Sequence, residues 1–184
     1  MRVMRAVDRL VVPWRNGQGT TTEVLRHPAD ADSPYWRVSI AVIDRSSAFS
    51  SFPGYQRLLM PLTGEVTLVV NGETERLARH EVLAFSGDDA VAAQDVVSVT
   101  ADLNVMVDRA WGSGELAATA VDARLDVHAD AHETVLLVSL SATLRCEGQT
   151  LDEGDCVVLA PGEKAVVRGP GQVAVARVTS QGGA

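Results

Sequence analysis

Leu151-Asp152-Glu153-Gly154-Asp155-Cys156-Val157-Val158-Leu159-Ala160-Pro161-Gly162 carries the clearest sign of the fold. It runs from a polar Gly-Asp turn through a short apolar strand into a Pro-Gly turn. Upstream lie Ser139 to Leu144, a strand-like run, and Glu147-Gly148, a tight turn. The same order occurs earlier in the chain. Leu62-Thr63-Gly64-Glu65-Val66 leads to Asn71-Gly72, then to His80-Glu81-Val82-Leu83-Ala84. Asn-Gly between extended segments is a strong hairpin signal, because both residues tolerate positive φ.

Strand, tight turn, strand, Gly-Asp, buried strand and Pro-Gly turn make the grammar of cupin-type barrels. Closing short strands into a barrel or jelly roll protects their edges. The expectation is an all-β chain with two cupin-like (jelly-roll, RmlC-like) β-barrel units, a bicupin. Residues 1–110 form the first and 111–184 the second. Strand candidates in the first are 36–43, 57–62, 65–70, 82–85, 96–100 and 103–107. Those in the second are 134–140, 143–146, 156–159, 164–168 and 173–178. The Ala-rich polar stretch from Trp111 to about Ala131 reads as a connection holding at most a turn or two of helix.

The 184 residues are 46% hydrophobic but only 4% aromatic, so the core is built from Val, Leu and Ala. A net charge of −8 argues against nucleic acid, whose binders need a basic face, and against an anionic membrane. Lys164 is the only lysine, so nearly all positive charge is arginine. No apolar run nears the roughly 18–20 residues that cross a bilayer, and the N-terminus lacks the apolar core of a signal peptide. Two cysteines, Cys146 and Cys156, are too few for a disulfide framework. A cytoplasmic protein is expected.

Function concentrates in polar stretches of the first unit. Trp14-Arg15-Asn16-Gly17-Gln18-Gly19-Thr20-Thr21-Thr22-Glu23 crowds polar side chains around two glycines. In 36–43, strand alternation puts Arg37 and Ser39 on one face. In 102–107 it puts Asp102, Asn104 and Met106 together, opposite the apolar Leu103, Val105 and Val107. Polar residues on an otherwise buried strand point to a ligand cavity. A metal is not expected. The four histidines make no His-x-His pair, and a catalytic metal needs three or four converging ligands. His128 and His132 fall in the connection and read as surface residues. Cys146 and Cys156 read as buried core residues on adjacent strands. Glu23 and Asp102 are the one acid–base pair available, although Glu23 also reads as an ion-pair partner of Arg37 or Arg57.

Four motifs resemble the HutD/Ves family. They are Trp14-Arg15-Asn16-Gly17-x-Gly19-x-Thr21-x-Glu23; Tyr35-Trp36-Arg37-x-Ser39-Ile40-Ala41; Phe49-Ser50-x-Phe52-Pro53-Gly54-x-x-Arg57; and Asp102-Leu103-Asn104-Val105-Met106. They cover about residues 10–110. The resemblance implies a metal-free bicupin without a cofactor. It also implies a bacterial role around histidine utilisation, as a binder or regulator rather than an established enzyme. The pocket residues it implies are Asn16, Thr21, Glu23, Arg37, Ser39, Arg57, Asp102 and Asn104. Two departures bear on the ligand. Gln18 stands where many members have a third glycine, and Thr22 where many have arginine.

Two function classes follow. In a binding or regulatory module, Arg37 and Arg57 clamp the carboxylate of a small acidic metabolite. Asn16 and Asn104 orient it, and Glu23 and Asp102 hold the arginines or accept from a ligand N–H. In a metal-independent isomerase or hydrolase, Glu23 or Asp102 is the base and Arg57 stabilises developing charge. The absence of a nucleophile and of metal ligands favours binding. The second unit carries no polar constellation and reads as a brace or a homodimer interface.

Overall fold

Asn71 and Gly72 take φ of 51° and 91°, the left-handed pair that a two-residue hairpin turn requires. Val70 and Glu73 pair across them, as the sequence predicted. Glu147 and Gly148 (45° and 81°) repeat the device between Cys146 and Gln149. Around these turns the computed structural model describes residues 1–9, 11–13 and 20–182.

The strands run in chain order as β1 (Arg2–Met4), β2 (Val11–Pro13), β3 (Thr20–His27), β4 (Trp36–Ile43), β5 (Ser47–Ala48), β6 (Tyr55–Pro61), β7 (Val66–Val70), β8 (Glu73–Leu77), β9 (Leu83–Ser86), β10 (Val91–Gln94) and β11 (Thr100–Asp108). They continue as β12 (Gly112–Val121), β13 (Arg124–His128), β14 (Glu133–Ser139), β15 (Leu144–Cys146), β16 (Gln149–Leu151), β17 (Cys156–Leu159), β18 (Lys164–Arg168) and β19 (Gly171–Ser180). Among the described residues the only helical element is a 3-10 turn at Ala6–Asp8, and no helix is long and apolar enough to cross a membrane.

The chain divides into two compact units. One is Leu10–Trp111; the other joins Met1–Arg9 to Gly112–Ala184. The expected 1–110 boundary therefore misplaces the first nine residues. β1 pairs with β17, Met4 opposite Cys156, and so completes the sheet of the second unit. A three-residue strand carries too little pattern to show its partner from sequence.

In the first unit a six-stranded sheet, β2-β3-β4-β11-β6-β9, accompanies a four-stranded one, β5-β10-β7-β8. Its core joins Ile43, Leu59 and Phe85 of the larger sheet to Val66, Leu68, Leu77, Val91 and Ala93 of the smaller. In the second unit the sheets are β1-β17-β14-β19-β12 and β13-β18-β15-β16. Val135, Leu137, Val157 and Val173 meet Leu144, Leu151, Ala165 and Val167 in its core.

Several expectations need correction. The stretch read as a connection holds β12 and β13. β12 pairs with β19 over its full length, where alternating small residues hide the strand signal. His128 ends β13 rather than lying in a linker. The strand expected at 96–100 starts only at Thr100, and Val97 and Val99 are exposed. Cys146 and Cys156 are buried but belong to different sheets.

Candidate functional site

Arg57 lies on β6 opposite Phe85 on one side and Met106 on the other. Met106 in turn lies opposite Arg37 on β4. Cross-strand partners share a sheet face, so Arg37, Met106, Arg57 and Phe85 form one row. The neighbouring row is Glu23, Ser39, Asn104 and Leu59, and the next is Thr21, Ala41, Asp102 and Pro61. Leu59 and Phe85 belong to the core between the two sheets. Thr21, Glu23, Arg37, Ser39, Arg57, Asp102 and Asn104 thus occupy a single inward face, which strand alternation predicted for Arg37, Ser39, Asp102 and Asn104. Asn16 lies outside the described residues.

Arg57 is 7% exposed and held chiefly by aromatic rings. Its guanidinium carbon stands 4.9 Å from the ring centroid of Phe85, 5.4 Å from that of Phe52 and 5.5 Å from that of Phe49. These are the chain's three phenylalanines, all gathered on one cation. The ring faces stabilise the charge electrostatically. Nη2 donates to Asn104 Oδ1 at 3.3 Å and Nη1 to the Ser50 carbonyl at 3.4 Å, while Nε has no partner. Burial is the main influence on this group and lowers its pKa to about 10, against the opposing pull of Asp102.

Arg37 stands 5.5 Å over the Phe52 ring, donates from Nη2 to Met106 Sδ at 3.2 Å, and leaves Nε without a partner. Burial lowers its pKa as well. Among the described residues neither arginine has a carboxylate within ion-pair distance. Glu23, expected to pair with one of them, instead accepts from Arg26 Nε at 2.9 Å. The register shift between Glu23 and Leu25 alters the pairing along β3, and Arg26 then lies opposite Arg37. Residues 10 and 14–19 contain no acidic side chain.

Asp102 is 1% exposed. Its Oδ2 accepts from Asn104 Nδ2, and its Oδ1 has no partner. Burial pushes its carboxyl up to about 7, although the Asn104 amide and Arg57 both favour the charged form. A relay therefore runs from Arg57 through Asn104 to Asp102. No hydrogen bond joins Glu23 to Asp102, so the structure does not assemble them as a coupled pair.

Sequence reasoning missed the Phe49, Phe52 and Phe85 cradle. The scarcity of phenylalanine was the available signal. Among the described residues no three His, Cys, Asp or Glu side chains group as metal ligands. Burial raises the thiols to about 11 for Cys146 and about 12 for Cys156, which keeps both protonated and poorly nucleophilic near neutral pH. A separate depression of about 310 Å³ shares Phe85 but is lined by Asn71, Glu73, Glu75 and Asp89, an acidic rim unsuited to an anion.

The sequence profile of the HutD family matches residues 6–176. The chain belongs to the HutD family. Among curated relatives, an uncharacterized 21.2 kDa protein in the hutC 3' region of Pseudomonas putida is 37% identical over 109 residues, 58% of this chain and 57% of that protein. Protein Ves of Citrobacter koseri is 41% identical over 99 residues, 52% of each chain. The match thus spans about half the length of these relatives. The solved structure of HutD from Pseudomonas fluorescens SBW25 superposes with a TM-score of 0.86 at 30% identity, covering 98% of this chain and 99% of that one. The HutD-family fold extends to distant cupin-like structures. An oxalate decarboxylase aligns with a TM-score of 0.68 at 8% identity, a likeness of fold alone, covering 100% of this chain and 78% of that one.

Proposed function

We propose that this HutD-family chain binds a small carboxylate metabolite without a metal, in a regulatory or accessory role linked to bacterial histidine utilisation. One observation carries the reading. Arg37 and Arg57 face the interior on either side of Met106, and among the described residues no carboxylate lies within ion-pair distance of either. A buried cation without a counter-ion is costly. A ligand carboxylate would offset that cost through charge-assisted hydrogen bonds to the guanidinium edges, which the phenyl rings leave free. Asn104 and Ser39 lie in the adjacent row to orient it. The hutC-region name of the Pseudomonas putida relative supports the pathway link.

The two units are proposed as a bicupin. The first carries the ligand site, and the second serves as a brace or homodimer interface. The setting proposed is the cytoplasm, with neither nucleic acid nor membrane as partner.

A second reading is a metal-independent isomerase or hydrolase acting on a small acid. The Asp102 carboxyl favours it, since a group titrating near 7 suits acid–base work. Turnover of the bound acid separates the two.

A thermal-shift screen of metal-stripped protein against urocanate, formylglutamate, histidine, glutamate and other small carboxylates tests the proposal. A ligand at 100 times its Kd stabilises the fold by about 2.7 kcal/mol. A shift that Arg57→Ala removes supports the site; no shift with any acid overturns it.

A further inference from the structure

Asp102 raises a question that two unpaired arginines alone do not. An anion-binding face would be expected to exclude a carboxylate, yet Asp102 is buried in the row beside Asn104, on the face that carries Arg37 and Arg57. The hydrogen bonds fix which of its atoms is free. Asn104 Oδ1 accepts from Arg57, so Asn104 must present its Nδ2 to Asp102. Asp102 Oδ2 is therefore an acceptor, and a proton on this carboxyl stands on Oδ1. Oδ1 is the buried atom that has no partner.

Resting on the carboxylate reading above, we propose that Asp102 engages the bound anion as a carboxylic acid, donating its Oδ1 proton to a ligand oxygen, so that anion and proton bind together. An ionised Asp102 would repel the ligand across a buried face, where charges are weakly screened. A protonated one supplies a short O–H···O⁻ bond, among the stronger hydrogen bonds available. Among the described residues the charged groups beside Asp102 on this face are Arg57 on β6, Arg37 on β4, and Glu23 and Arg26 on β3, the last two paired with each other. The core residues of the facing sheet, Val66, Leu68, Leu77, Val91 and Ala93, carry no charge, while Glu73 and Glu75 of β8 alternate onto the same side as Leu77 and line the acidic depression beside Phe85. His80 donates its backbone N–H to the carbonyl of Pro61, the cross-strand partner of Asp102. Burial already holds the carboxyl near neutrality before any ligand arrives.

The test uses acetate, which stays ionised throughout, titrated into the whole protein between pH 6 and 9. NMR of the Arg57 side chain reads occupancy, and calorimetry in two buffers of different ionisation enthalpy reads proton uptake. The expected result is an affinity that falls about tenfold per pH unit once free Asp102 ionises. About one proton should be taken up per acetate at the alkaline end. Asp102→Asn keeps a donor and no charge, so its affinity should be flat with pH. Binding that requires Arg57 but shows neither pH dependence nor proton uptake overturns this inference and leaves the carboxylate reading standing. Acetate binding at pH 6 that is absent, or unchanged in Arg57→Ala, overturns both.

Discussion

The Arg57 guanidinium stands 4.9 Å from the ring centroid of Phe85, its cross-strand partner, so a cation and an aromatic ring share one register position on the inward face of a sheet. Phe49 and Phe52 lie 5.5 Å and 5.4 Å from the same guanidinium carbon. The rings hold the charge without consuming its hydrogen-bond donors. A carboxylate in their place would have neutralised the group and left no reason for a ligand to bind.

Arg57→Lys should therefore be a severe change despite its conserved charge. Lysine has a compact ammonium that neither stacks as a plane nor offers two parallel donors. Carboxylate affinity should drop by at least about tenfold, the equivalent of one charge-assisted hydrogen bond. Arg37, which has the weaker aromatic contact, should cost less when changed to Lys. Titration of the two variants with the same acid checks the order.

Asp102 makes the fold pH-sensitive. Its folded pKa of about 7 lies above that of an unfolded aspartate. The unfolded chain thus releases this proton first as pH rises. The contribution to stability is full below about pH 4, declines through the interval up to 7, and is lost above it. The linked loss is about 4 kcal/mol. Asp102→Asn should show no such decline from this position and should exceed the wild type in stability at pH 8. Urea unfolding at pH 4.5 and 8 measures it.

Gly87 should tolerate no side chain. A Cβ there would lie 1.9 Å from the Phe52 carbonyl oxygen, a backbone atom that cannot swing aside. The same carbonyl region is fixed by Phe52 N–H donating to Gly87 O at 2.8 Å and Gly87 N–H donating to Tyr55 O at 2.7 Å. Gly87→Ala should destabilise by a few kcal/mol, in the range of overpacking, and should loosen the Phe52 wall of the arginine cradle. Thermal unfolding reads the first effect and acid binding the second.

Asp155 ties the N-terminal segment to the second unit. It is 2% exposed and accepts from Arg5 Nη1 at 2.6 Å, Ala6 N at 2.8 Å and Asp152 N at 3.0 Å. Burial pulls its carboxyl up, but these hydrogen bonds together outweigh that and hold it below its ordinary value. Its contribution is present above the unfolded pKa of about 4 and is lost as pH falls through the folded value. Asp155→Ala should cost about 1–3 kcal/mol by orphaning buried donors. The effect should vanish in strong acid, as a pH series of unfolding curves would show.

The two units and most strands could be read from local chemistry. Trp36–Ile43 and Cys156–Leu159 announce themselves by β-branched runs between turns. β12 could not be read this way, because Gly112 to Val121 is rich in Gly and Ala and owes its form to the partner β19. β1 escaped because three residues, Arg2–Met4, carry too little pattern to show a partner. At the site, alternation sufficed to place Arg37, Ser39, Asp102 and Asn104 on one face. The Arg26 partnership of Glu23 could not be foreseen, since it accompanies a register shift in β3. The gathering of Phe49, Phe52 and Phe85 on Arg57 depends on loops and strands brought together only by the fold.

Calorimetric titration of wild type and Arg57→Ala, side by side, with each carboxylate that stabilises the protein decides whether Arg57 holds the ligand. The wild type should bind saturably, with an affinity at least about 100-fold lower in the variant, as loss of a buried charge-assisted pair implies. The variant should remain folded by circular dichroism. Equal affinity in the two proteins would rule out Arg57 as the carboxylate clamp.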